Sequence, residues 1–342
     1  MTSAITRFGR TGAALAALVI LLAALWLGAA IGETAIPLDT VAKTVANRLW
    51  GAGYPLEPID EGIVWSYRLS RAVVAACCGA ALSLSGVVLQ SLLRNSLADP
   101  YLLGISAGAS TGAVSVAILG VGAGFLTLPM GAFAGALVAF ALVSLLAVKA
   151  GRGTAAIILA GVAGSQLFNA LTSFIVTKAA TAEQARGIMF WLLGNLSGVR
   201  WPDAWLAIPA TLAGLVVCLW HARALDAFTF GAESAASLGI SVRRTYLALV
   251  GVSAMMTAVM VSIVGSIGFV GLVIPHAARM VVGVRHGVLL PAAALIGAVF
   301  MIGADILSRI LIPGQVLPIG VITALVGAPA FALILGQKRA RT

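Results

Sequence analysis

Residues 11–33 read TGAALAALVILLAALWLGAAIGE, an apolar run with no charge before Glu33. A helix needs roughly 20 apolar residues to cross the hydrocarbon layer of a bilayer. This run meets that length, and its core exceeds the ~7–15 residues of a cleaved signal segment. With Arg7 and Arg10 before it, it reads as a retained first membrane helix. Comparable runs recur at 62–91, 101–121, 127–148, 154–177, 203–221, 246–264, 268–284, 288–311 and 316–336. The pattern predicts an all-α integral membrane protein, ten transmembrane helices in a single domain covering 1–342. Membrane strands would alternate with period two, and these runs are continuous. Residues 188–198, IMFWLLGNLSG, are too short to span and read as a re-entrant or interfacial helix.

The whole composition agrees. Hydrophobic residues make up 61% of the 342-residue chain and charged residues 9%, with a mean hydropathy of +1.09. Soluble domains carry about a quarter charged residues, so most of this chain is solvated by lipid. The net charge of +10 lies in short loops and is no nucleic-acid signature. Ten spans put both termini on one side. If that side is cytoplasmic, it receives Arg7, Arg10, Arg94, Lys149, Arg152, Arg223, Arg243, Arg244, Arg279, Arg285, Lys338, Arg339 and Arg341, the excess that the positive-inside rule requires. The other side receives Lys43, Arg48, Arg68, Arg71, Lys178, Arg186, Arg200 and Arg309.

Several chemistries are excluded. None of Lys43, Lys149, Lys178 and Lys338 follows a glycine, so no G-K-[ST] phosphate loop exists in the chain. His221, His276 and His286 form no metal-ligand set. Cys77, Cys78 and Cys218 fall within spans at no metal or disulfide spacing and read as buried thiols. No catalytic constellation is present. Asp305 is the main ionisable group inside a span, and Arg309 one turn later accounts for it as an i,i+4 pair.

Four features are candidates for mechanism. Gly104, Gly108 and Gly112 line one helical face, which allows close backbone approach; tight packing is the plain reading and helix sliding the functional one. Ser165, Gln166, Asn169, Thr172 and Ser173 fall on roughly one stripe of the fifth span, either bonding a neighbouring helix or lining a wet path. Arg68, Arg71 and Arg309 sit at span ends on the outer side, either snorkelling to headgroups or docking an acidic partner through bidentate forks. Residues 232–246, AESAASLGISVRRTY, predict a short amphipathic helix stopped by Gly239 at its C′ position, either a connector or a grip for a cytoplasmic partner.

Longer blocks carry a resemblance. They are YRLSRAVVAACCGAALSLSGVVLQSLLRNSLADPYLLGISAGASTGA at 67–113, LAGVAGSQ at 159–166, GAESAASLGISVRR at 231–244 and GSIGFVGLVIPHAAR at 265–279, followed by LLPAAALIGAVFMIGADILSRIL and LPIGVITALVGAPAFALIL. In this order they resemble the permease subunits of ATP-binding-cassette importers for iron–siderophore, haem and vitamin B12 uptake, over nearly the whole chain. The resemblance implies a multi-pass homodimer in the inner (cytoplasmic) membrane, with its path along the dimer axis lined by the fifth and tenth spans. It implies two cytoplasmic ATPase subunits that hold ATP and Mg, a periplasmic binding protein, and no cofactor or catalysis on this chain. Arg68 and Arg71 match an R-L-P-R motif and Arg309 the arginine after A-D, which favours docking of the binding protein. Gly231, Glu233, Ala235, Leu238 and Gly239 match the segment that couples to the ATPase, within about 231–244. Gly153 and Thr154 align with the cytoplasmic gate, and the polar stripe with the path. Ser70, Ser96 and Val316 depart from family proline, proline and glutamate, and Arg285-His286-Gly287 replaces D-H-R. The rival expectation is an ion-gradient-driven transporter or channel with no ATPase partner.

Overall fold

The computed structural model describes the backbone of residues 2–151 and 153–339, and the side chains of 12–151 and 153–333. Arg152 and Arg341 lie outside the described residues, as do the side chains of Arg7, Arg10, Lys338 and Arg339.

The described residues form helices joined by short non-helical connections, without a named strand. Seven helices are long and apolar enough to cross a membrane. They are α1 (Thr2–Ala30, apolar from Gly12), a continuous helical rod from α3 (Pro58–Gly62) through a π-helical stretch (Ile63–Leu69) into α4 (Ser70–Leu92), α6 (Leu128–Ala150), α7 (Thr154–Ala179), α9 (Trp201–Trp220), α12 (Val242–Val264) and α14 (His286–Ile310). Two apolar helices are shorter, α5 (Ile105–Ala117) and α13 (Val270–Val282), and a last apolar helix is α15 (Ile319–Arg339). Of the ten expected segments, seven fall on helices long and apolar enough to cross a membrane among the described residues. At 1.5 Å per residue, α5 and α13 are each about 20 Å long, against the ~30 Å of a hydrocarbon core.

Left-handed backbone explains both shortenings. Gly104 (φ 75°) ends a 3-10 turn at Pro100–Leu103 and starts α5, and Phe269 (φ 70°) starts α13 after the non-helical residues 265–268. Irregular backbone inside a membrane protein must be satisfied by protein groups, and here it is. The Tyr101 hydroxyl donates to the Ile267 carbonyl at 3.0 Å and accepts the Ile267 N–H at 2.9 Å. Ser106 Oγ donates to Ser266 Oγ at 2.7 Å. The Asn195 N–H reaches the Val264 carbonyl at 2.8 Å, and the Ile319 N–H reaches the Gly194 carbonyl at 2.9 Å. Four breaks in the helical pattern therefore mend one another.

α4 is the central post and packs against α9, α12, α13 and α14. Glycines set how close its neighbours come. A Cβ on Gly79 would strike the Gly297 carbonyl of α14, and one on Gly86 the Gly271 carbonyl of α13. The predicted glycine face of α5 packs the same way: Gly108 lies on Gly135 and Gly112 on Gly131, both from α6. That is close helix packing by small residues.

One short helix departs from expectation. α8 (Ala182–Leu192) begins six residues before the predicted 188 because Thr181 and Gln184 form a capping box; the T-x-x-Q signal was there to be read. Beside the N-terminal end of α4 an aromatic group forms: Trp65 meets Trp201 at 4.8 Å in a tilted pair, Trp201 lies 6.3 Å from Trp205, and the Arg200 guanidinium covers the Tyr67 ring at 4.0 Å. Tryptophan and tyrosine concentrate at membrane–water interfaces, so this cluster marks the membrane boundary at the Arg71 end of α4.

Candidate functional site

At that end the three arginines are buried. Arg68, Arg71 and Arg309 are 5%, 3% and 5% exposed, and Asp305 between them is 0% exposed. Arg71 Nε donates to Asp305 Oδ1 at 2.5 Å, and its other nitrogens reach Ser197 Oγ and Ser308 Oγ at 3.2 Å each. Arg309 Nη2 lies 3.0 Å from Asp305 Oδ2 and donates to the Gly28 carbonyl of α1 at 3.0 Å. Arg68 closes the end of α1, donating to the carbonyls of Ala30 and Thr34. A Cβ at Gly32 would strike that guanidinium, so glycine there makes room for it. The expected Asp305–Arg309 pair is present, with Arg71 as a third member. Snorkelling does not describe these side chains, which point into protein, and none offers a free guanidinium to a second molecule in this conformation. Their clear effect is to lock α1, α4 and α14 together with one carboxylate.

The polar stripe of α7 divides. Thr172 is buried, and its hydroxyl lies 2.9 Å from that of Thr111 on α5, which also donates to the Phe168 carbonyl at 2.8 Å. Thr172 is therefore a packing contact, a correction to its place in a path lining. Ser165 is half-buried, whereas Gln166, Asn169 and Ser173 remain exposed on one face. They share it with Leu159, Val162 and Phe174. Replacing Thr172 by valine removes one hydroxyl pair; about 1 kcal/mol of stability should be lost, read as a lowered melting temperature in detergent.

At the opposite end, Gly153 caps α7 and is exposed, as is Thr154, whose hydroxyl is 3.5 Å from the Leu93 carbonyl. Nothing crowds Gly153, so packing does not require a glycine there. The predicted amphipathic helix forms as α11 (Ala232–Ser237), entered through Gly231 (φ 112°) and left through Gly239 (φ 80°). The Gly239 N–H returns to Ala236 and that of Ile240 to Ala235, closing the C-terminus as a left-handed cap does. Leu238 is 72% exposed and Glu233 is exposed. Ala235 corrects the expectation that it contacts a partner: it is fully buried against Ala227 and Phe228 of α10 (Ala222–Phe228). The elbow thus presents a charge and a bare leucine while one alanine pins it down.

Comparison with known proteins fixes the class. The profile described as FecCD transport family matches residues 19–337. The chain belongs to the FecCD transport family. Two relatives are similar along their full lengths. The cobalamin import system permease protein BtuC of Halobacterium salinarum is 39% identical, over 95% of this chain and 96% of that protein. The probable siderophore transport system permease protein YfhA of Bacillus subtilis is 35% identical, over 97% and 98%. Among solved structures, a metal-chelate type ABC transporter in an inward-facing conformation superposes with a TM-score of 0.82 at 29% identity, covering 94% of this chain and 98% of that one. PsaBC of Streptococcus pneumoniae, at 20% identity and a TM-score of 0.57, shares the fold alone. As a FecCD protein the chain is a membrane-spanning transport component.

The sequence could not show the Tyr101–Ile267 bridge, the Arg71–Asp305 contact or a Ser91–His286–Asp226 chain at the α11 end. In that chain, His286 Nδ1 is 2.7 Å from Asp226 Oδ1 and Nε2 is 2.7 Å from Ser91 Oγ. All three features join residues more than a hundred positions apart or lie on different helices, where no periodicity links them.

Proposed function

We propose that the chain is the permease subunit of an ATP-driven importer for cobalamin or an iron–siderophore or haem chelate, working by alternating access as a homodimer in the inner membrane. The FecCD match over 19–337 carries the reading, and the cobalamin and siderophore permeases among its relatives support the cargo class. The exposed face of α7, with Gln166, Asn169 and Ser173 among apolar residues, suits a wall shared with a second copy around a wide path. Gly153 and Thr154 stand at the gated end of that helix. ATP and Mg bind a separate ATPase that grips Glu233 and Leu238 between the hinges at Gly231 and Gly239. A periplasmic binding protein docks at the end held by Arg68, Arg71 and Arg309, whose cluster keeps the outer ends of three helices in register for it. The ion-gradient alternative wants a free carboxylate deep in the membrane, and Asp305 is already held by two guanidinium groups.

The decisive experiment co-expresses the chain with its cognate ATPase and purifies both in detergent. Co-purification and Mg-ATP hydrolysis are expected. Leu238→Asp with Glu233→Lys should abolish co-purification and leave the permease monodisperse. An ATPase that binds the double variant as well as the wild type would remove the coupling role of the elbow.

A further inference from the structure

The elbow does not hang free from the membrane helices. α10 precedes it directly, and Asp226 of α10 is bound to the first turn of α14 twice: Asp226 Oδ1 accepts the His286 backbone N–H at 2.9 Å and faces His286 Nδ1 at 2.7 Å. A carboxylate at a helix N-terminus also answers the helix dipole. The far edge of the same ring meets Ser91 Oγ of α4 at 2.7 Å. His286 is 3% exposed.

The proton inventory limits how this chain works. A carboxylate only accepts, so Nδ1 carries a hydrogen towards Asp226. The Ser91 hydroxyl has one proton and two acceptors within reach, His286 Nε2 and the Val87 carbonyl at 2.8 Å. With the ring hydrogen on Nδ1, Nε2 of the neutral imidazole accepts, so the Ser91 proton serves either Nε2 or the Val87 carbonyl and not both at once, whereas the aspartate link keeps its hydrogen throughout. The firm half of the bridge joins α14 to α10. From α10 the load passes by packing: Ala227 and Phe228 hold Ala235 of α11, with Leu92 of α4 alongside.

We infer that His286 is a positioning residue that fixes the α10–α11 elbow to α14 through Asp226, so that movement imposed on α11 reaches the transmembrane bundle. The transport half of this inference rests on the coupling role proposed above; the structural half does not. Imidazole is suited to the position because two opposite ring nitrogens meet a carboxylate on one element and a hydroxyl on another at once. Asparagine reproduces the Nδ1 side and glutamine the Nε2 side, so each conservative variant keeps one link.

The test is amide hydrogen exchange on the full chain in lipid nanodiscs, comparing wild type, His286→Asn, His286→Gln, Asp226→Ala and the Asp226→Ala/His286→Gln pair. Exchange across 229–240 should rise about tenfold in His286→Gln, the scale of one lost charge-assisted bond, and further in Asp226→Ala, which also gives up the bond to the His286 backbone N–H. It should stay at the wild-type rate in His286→Asn, and the double variant should be no faster than Asp226→Ala alone. Exchange in the α5–α6 pair should not change in any variant, which separates a loosened elbow from general destabilisation. Elbow exchange at the wild-type rate in His286→Gln and Asp226→Ala, or equal acceleration in His286→Asn and His286→Gln, would overturn the inference. A second arm measures Mg-ATP hydrolysis by the co-purified complex: His286→Gln should lower it about tenfold and His286→Asn should not. If the wild-type chain binds no ATPase, the importer reading fails and the exchange arm still decides the role of His286.

Discussion

Asp305→Ala should prevent the protein from accumulating in the membrane. The substitution removes one carboxylate and leaves two guanidinium groups, Arg71 and Arg309, buried with no counter-charge. Breaking a buried ion pair by deleting one partner costs about 3–5 kcal/mol, a large share of the ~5–15 kcal/mol that holds a typical protein folded. The neighbours cannot compensate. Ser197 and Ser308 offer neutral hydroxyls to Arg71, and Arg309 keeps the Gly28 carbonyl, yet none carries charge. Asp305→Asn should be milder, because one amide oxygen can still accept from Arg71. The sharper check is the triple variant Arg71→Met/Asp305→Leu/Arg309→Met. Replacing a whole buried ionic cluster by apolar groups is often neutral or stabilising, so membrane levels should recover towards wild type. Detergent-extracted yield and melting temperature read all three. A single variant as stable as wild type would show that the cluster does not hold the Arg71 end together. Recovery in the triple variant, followed by a binding-protein pull-down, also separates docking from packing: retained docking means that the arginines serve by holding helices.

Gly86→Val is the second large loss expected. The added Cβ falls on the backbone carbonyl of Gly271, not on a movable side chain. Ordinary overpacking costs about 1–3 kcal/mol because side chains can swing aside. Here α13 must move bodily, and α13 is also held by Gln90, whose amide donates to the Gly271 and Leu272 carbonyls at 3.3 Å and whose oxygen accepts from Arg279 at 2.7 Å. The cost should reach or exceed about 3 kcal/mol, seen as failure to extract folded protein. Gly153→Ala is the control, since a Cβ there meets nothing within 4 Å; it should leave folding unchanged.

Much of the architecture was legible beforehand because its physics is local. Lipid solvates a helix along its whole length, so hydrophobic runs such as 11–33 and 127–148 marked membrane helices directly. Gly108 and Gly112 announced a close contact by their spacing, Gly239 announced the end of α11, and Asp305–Arg309 is an i,i+4 pair that any helix would bring together. Expectation failed where a residue's neighbour comes from elsewhere in the chain. Ala235 looked like part of an exposed face until α10 covered it. Thr172 looked like lining until Thr111 took its hydroxyl. Arg68, Arg71 and Arg309 looked available to a partner because nothing in their surroundings along the chain shows that Gly28, Ala30 and Thr34 turn their carbonyls towards them.

Composition and periodicity settled the solvent, the helical class and the general placement of the segments, because burial in lipid acts on each helix separately. The packed bundle alone settled which helices stop short, which arginines share Asp305 and which ring joins Asp226 to Ser91. Those outcomes depend on groups distant in sequence meeting in a low-dielectric interior, where an unpaired charge or backbone group costs too much to leave alone.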